Sequence, residues 1–281
     1  INLNFNKILY SSLTKFWPND FGQKTKNWII TKVTGGFAKD FELSLNLDFL
    51  KTPKVKNLKL NWLHKDSKIS FYKSLPTLNL PEARIKINRE EMTINFNKAI
   101  LARFDIGKGQ LNISPIFNKK AKASLKLKGQ SGLQEVLEFL NHRDLNLISK
   151  YKIGTNGIGE IFFQSNFTWP IKPEIKKDEF IWEVNANGNE LFLSSLPLNL
   201  RATESKIKIF ANNQTFKLLG EGKLNNIKTK FKIDKLQNKN PSVKINLIKS
   251  RELAKYISNI SGQKIDGSAS GLIEINNLDF R

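Results

Sequence analysis

The sequence predicts a mainly β protein: a long antiparallel sheet with one apolar face, accompanied by a few short amphipathic helices. Three observations lead there. More than a dozen segments alternate apolar and polar residues with a period of two, the spacing that sends successive side chains to opposite faces of a strand. The separators between them, such as Asn88 to Glu91 and Gly107 to Gly109, are short and polar or carry glycine, as hairpin connections do. Only three stretches carry a helical period. So much sheet with so little helix means that the apolar faces meet one another, curl around a cavity, or take up a ligand.

The chain is organised around Phe16 to Phe49, which reads as one short helix feeding one long strand. Asp20 is placed to cap the helix, and Phe21, Trp28, Ile29 and Val33 return to one face at 3.6 residues per turn. Gly35 and Gly36 end it. From Phe41, the residues Leu43, Leu45, Leu47 and Phe49 then alternate with Glu42, Ser44, Asn46 and Asp48. Ahead of this stretch, Leu3 and Phe5 alternate with asparagines, as in a strand entering from an upstream part. After it come Leu58, Leu60 and Trp62 on one face, then Ile69 and Phe71 at the start of the next strand, and a break at Ser74 to Pro81. Strands resume through Ile85, Ile94, Phe104, Ile113 and Leu125 as a meander.

A second helix is expected where Leu133, Val136, Leu137 and Leu140 form an apolar stripe behind the capping-box spacing of Ser131 and Gln134. The next strand places Ile161, Phe163, Phe167, Trp169 and Ile171 on one face, with Phe162 as its exception. Further strands follow at Trp182, Leu191, Ile207, Leu218, Phe231 and Ile245. A third helix, Ser250 to Ile260, leads through Gly262 and Gly267 into a last strand, Leu272 to Phe280. Strands, helix, glycine loop and strand thus occur twice, which suggests two units of similar layout, residues 1–150 and 151–281.

Of 46 basic residues only seven are arginine and 39 are lysine, and the formal charge is +21. Phosphate and base-edge recognition favours arginine forks with interleaved aromatics, whereas these lysines are scattered along polar strand faces. Nucleic acid is therefore not expected as a partner. The abundance of Lys, Asn, Ile and Phe points to an A/T-rich coding sequence as the plain source of much of the charge. There is no cysteine, and His64 and His142 are the only histidines, so metal sites and cofactors are not expected. The dense ionisable clusters, Glu90-Glu91, His64-Lys65-Asp66 and His142-Arg143-Asp144, lie in turns or at a helix end, with no nucleophile elbow or phosphate loop beside them. The expectation is a protein without enzymatic activity.

Phe16-Trp17-Pro18, then Trp28-Ile29-Ile30, Gly35-Gly36 and an alternating strand together resemble the central region of YhdP-type proteins of the AsmA-like superfamily. Leu75-Pro76 running to Ala83-Arg84-Ile85, the helix Leu133 to Leu140 leading to Trp169-Pro170, and Leu219-Gly220 to Leu224 are similar too. The resemblance covers nearly the whole chain, and the first motif is its specific part. It implies a long curved antiparallel sheet forming an elongated apolar groove that carries phospholipid across the periplasm of a Gram-negative bacterium. The chain starts at Ile1 and lacks the membrane helix of that superfamily, so it is expected to be a fragment of a longer, inner-membrane-anchored protein. Adjoining groove segments and phospholipid acyl chains are then its partners.

On that reading the groove is lined by Phe41, Leu43, Leu45, Leu47, Phe49, Leu58, Leu60, Trp62, Ile161, Phe163, Phe167, Trp169 and Trp182. Trp17 and Trp28 are expected to pack the helix on the sheet instead. Covering ten methylenes would be worth roughly 8 kcal/mol, with little regard for the head group. Two alternatives remain open: an assembly factor for outer-membrane β-proteins that acts through sheet edges, and a closed β-sandwich that binds anionic partners.

Overall fold

The computed structural model describes residues 1–13, 15, 23–48, 54–71, 76–116, 120–141, 154–172, 174–196, 200–236, 242–251, 254–255, 258 and 269–275. The described period-two segments are strand. The first strands are β1 (Asn2–Leu9), β2 (Val33–Thr34), β3 (Phe37–Asp48), β4 (Lys54–Ile69) and β5 (Leu78–Ile87). Then come β6 (Met92–Phe96), β7 (Ala99–Leu101), β8 (Phe104–Ser114), β9 (Lys122–Gly132) and β10 (Gly157–Pro170). The series ends with β11 (Ile181–Leu196), β12 (Leu200–Asn212), β13 (Thr215–Leu224), β14 (Ile227–Leu236), β15 (Ser242–Ser250) and β16 (Ala269–Ile275). The helices are α1 (Tyr10–Leu13), α2 (Gln23–Lys32) and α3 (Leu133–Leu140).

The strands make one long antiparallel sheet, hydrogen-bonded in the order β1, β3, β4, β5, β6, β8 and then β9 to β16 in sequence. β2 pairs with β4. β6 and β7 are two pieces of one interrupted rung, because both pair with β5 on one side and β8 on the other. The chain divides into two compact units, Ile1–Gly129 with Ser165–Trp182, and Gln130–Gln164 with Glu183–Arg281. The boundary expected at 150/151 lies outside the described residues.

Several local expectations are corrected. Val33 belongs to β2, opposite Ile69, rather than to the helix: a β-branched residue just ahead of Gly35 and Gly36 pairs more readily than it ends a helical turn. The cap Asp20, and Phe16 to Phe21 with it, lies outside the described residues. Ile69 ends β4 and Phe71 follows it, so the two do not open a new strand: the pairing of Leu60 to Ile69 with β5 runs on without a break. The expected break at Ser74 to Pro81 is shorter, since β5 already runs from Leu78 through Pro81. Pro81 is exposed there and removes only one ladder donor, a cost that a strand tolerates. The Ser131–Gln134 capping box does not form. Ser131 is still in β9 and its buried hydroxyl has no partner, while Gln134 Nε2 donates to Glu138 Oε1 at 3.0 Å. Ser250, expected to open the third helix, still belongs to β15, opposite Ala269; of the rest of that helix Arg251, Ala254, Lys255 and Ser258 are described, and they are helical, with Ala254 buried.

Candidate functional site

Cross-strand neighbours in an antiparallel sheet share a face, so the register shows which apolar side chains form one surface. In the first unit Leu43 lies opposite Leu60, Leu45 opposite Leu58, Leu60 opposite Ile87 and Trp62 opposite Ile85. Phe41 is 2% exposed, and Leu43, Leu58, Leu60 and Trp62 are buried with it. Leu45 is half-buried; the side chain of Leu47 and all of Phe49 fall outside the described residues.

The unit's own helix packs against another part of its apolar core. On α2, Thr25 and Trp28 are the buried residues. Thr25 Oγ1 donates to the Ile116 carbonyl at 3.1 Å, and the Trp28 ring lies 6.3 Å from that of Trp169. Trp169, with 0% exposure, also stacks on Phe71 at 5.8 Å and meets Phe180 at 5.9 Å. Phe167 completes the cluster against Phe71 and Phe180. Trp28 thus does pack helix on sheet. Phe167 and Trp182 are half-buried. The expected lining residues Phe41, Leu43, Leu58, Leu60, Trp62 and Trp169 are core residues of this unit, with almost no surface to offer a ligand.

A polar node lies on β4: His64, expected with Lys65 and Asp66 in a turn or at a helix end, sits within the strand opposite Ala83 and is buried. Trp62 Nε1 donates to His64 Nδ1 at 3.2 Å, which leaves the proton on Nε2, 3.3 Å from the Gly35 carbonyl. Tyr10 meets the imidazole edge-on at 5.7 Å, and its hydroxyl donates to the Ile29 carbonyl. Burial pushes the His64 pKa down and lifts that of Tyr10 to about 12. Gly36, at φ +83°, makes this close approach possible: a Cβ there would sit 2.0 Å from the Lys65 carbonyl oxygen and 2.9 Å from His64 Nε2.

The second unit repeats the alternation but covers it differently. One row across its strands runs Ala186, Ile209, Leu218, Ile233, Val243. The next runs Gly188, Ile207, Gly220, Phe231, Ile245, Ile273. Val184, Ala211 and Phe216 flank the first row, and Leu247 continues the face on β15. The Phe231 ring lies flat across Gly220, where any Cβ would come within 2.1 Å of it. Helix α3 caps only one end of this surface. Leu133 and Leu137 pack with Ile161 and Leu191, and Val136, Ala186, Leu193 and Ile207 border that cluster. Beyond it, Ile209, Leu218, Phe231, Ile233, Val243, Ile245 and Leu247 are only half-buried, and Ile273 is 44% exposed.

Of the expected lining residues, Ile161 and Phe163 belong to this unit. Ile161 is buried under α3 and Phe163 is half-buried. The seven half-buried residues from Ile209 to Leu247 were missing from the expected lining. Their alternation is as clear in the sequence as that of β3, but alternation does not say which face a helix will cover. Among the described residues no group of His, Cys, Asp and Glu side chains could hold a metal ion, and no helix is long and apolar enough to cross a membrane. Comparison with family models, curated proteins and solved structures finds no match to this chain.

Proposed function

We propose that the chain is a section of an AsmA-like, YhdP-type periplasmic protein whose apolar sheet face carries phospholipid acyl chains between inner and outer membranes. The observation that carries this reading is the half-covered apolar surface of β12 to β15, several strands wide and free of charge along its two central rows. A surface of that kind gains free energy when methylenes cover it, about 0.8 kcal/mol for each one buried. It offers no fixed polar group to select a head group, which suits a conduit better than a receptor. No side chain in those rows has acid, base or nucleophile chemistry, and the reading assigns the protein no enzymatic activity and no cofactor.

Native mass spectrometry of the purified chain, followed by solvent extraction and lipid analysis, tests this. Phospholipid should co-purify and be lost from Leu218→Asp and Phe163→Asp variants that keep their far-ultraviolet circular dichroism. A lipid-free, cooperatively unfolding wild type would overturn the reading in favour of a face that awaits protein.

A further inference from the structure

The two half-covered rows of the second unit are closed at one end and open at the other. Leu133 and Leu137 of α3 pack on Ile161 and Leu191, which are 2% and 3% exposed, and Ala186 and Ile207 border that cluster. A Cβ on Gly188 would lie 2.7 Å from Ile161 Cδ1, so Ile161 stands directly behind the β11 end of the row that Gly188 begins. Farther along the same row Ile207, Phe231 and Ile245 are half-buried, and Ile273 on β16 is 44% exposed. Cover is complete at α3 and least at β16.

The uncovered strip is long in one direction only. From β12 to β16 the rows cross four inter-strand steps, about 19 Å, and over that length neither carries a charged or hydrogen-bonding side chain. Along the strands it is short. On β14 only Ile233 and Phe231 stand between Lys235, opposite Phe216, and Thr229. Lys235 puts a charge at one margin. At the other, Thr229 is 0% exposed and its hydroxyl already donates to the Ile227 carbonyl at 2.7 Å. Ser205 marks the same margin on β12, buried, with its hydroxyl donating to the Thr203 carbonyl at 3.2 Å. Two residues leave about 7 Å of apolar width.

Such a strip has the proportions of one unbranched alkyl chain laid across the strands. The chains of one bilayer leaflet span about 15 Å, half of a hydrocarbon core of about 30 Å, so a single chain fills the strip and its polar end comes out at the uncovered margin.

We propose that one acyl chain lies across the strands along these two rows, its terminal methyl stopped by α3 and its polar end at β16. This rests on the reading of the face as a lipid surface and adds to it a direction, a capacity of one chain, and a stop that measures chain length.

Brominated phosphatidylcholines test it on the full chain, which has no cysteine of its own, with a bimane probe attached through Ile207→Cys near α3 or Ile245→Cys towards β16. Bromine on the carboxyl half of the chain should quench the probe at 245 more than that at 207, and bromine on the methyl half should reverse the order. Ala186→Trp, which brings the stop forward, should lower affinity for the longest chains by about fourfold per methylene displaced and leave shorter chains unaffected. Equal quenching of both probes by both lipids, or the opposite order, would overturn the proposal and leave the lipid reading standing. So would an Ala186→Trp variant that loses affinity for all chain lengths alike. No quenching of either probe by either lipid, in folded variants, would overturn the proposal and the lipid reading together.

Discussion

On β4 and β5 of the first unit, Leu58, Leu60, Leu78 and Leu80 are buried, whereas on β13 and β14 of the second, Leu218, Phe231 and Ile233 remain half-buried. The strands have the same alternation and the same antiparallel pairing. What differs is the lid. Helix α2 brings Thr25 against Ile116 and Trp28 against the Trp169 cluster in the first unit, while α3 packs on Ile161 and Leu191 and borders Ile207 in the second. Alternation in a strand's own sequence therefore does not decide how completely its apolar face is covered.

The sharpest way to break that comparison is to place a charge in each face. Leu58→Asp should leave the first unit unfolded, because an unpaired buried carboxylate costs several kcal/mol against a total stability of about 5–15 kcal/mol. Leu218→Asp should still fold, with a loss of about 1–2 kcal/mol, since water reaches a half-buried site. Urea unfolding of the two variants measures both. Equal losses would mean that the two faces are equally closed.

Next in size, Trp28→Ala removes the lid's anchor and should cost about 3–5 kcal/mol, followed by the same unfolding curves. Phe231→Ala in the second unit should cost less than half as much, because its ring is covered on one side only.

Acid should act on the first unit through His64. Burial holds its folded pKa below the ordinary 6.5, so between those two values the unfolded chain binds a proton that the folded one refuses. Stability is therefore complete above pH 6.5 and falls as the pH drops below it, by at most about 1.4 kcal/mol per pH unit. Protonation would also set an Nδ1 proton against the Trp62 Nε1 donor. Thermal unfolding between pH 5 and 7.5 should show this slope in wild type and lose it in His64→Gln. The smallest effect is expected from Thr25→Val, about 1 kcal/mol, for the buried hydrogen bond to Ile116.

Most of the sheet was legible from the sequence, because period two survives wherever one face is solvated, as in Phe41 to Leu47 or Ile227 to Ile233. The helix α3 was legible as well, from Leu133, Val136 and Leu137. The capping box was not: Ser131 and Gln134 have the right spacing, but strand pairing in β9 takes Ser131 first. The candidate site was legible only as a set of apolar faces. Trp169 and Ile209 look alike as alternating residues, and packing against Trp28, Phe71 and Phe180, all distant from the strand pattern itself, makes one a core residue while the other stays half-covered.

The most direct test of the central claim uses the absence of cysteine. A single bimane probe can be attached through Leu218→Cys on the apolar face or Lys232→Cys on the solvated face, and brominated phosphatidylcholine then added as quencher. The account predicts strong quenching at position 218 and none at 232, since Lys232 stands on the opposite, solvated face. Equal quenching at both positions, or none at 218, would contradict it.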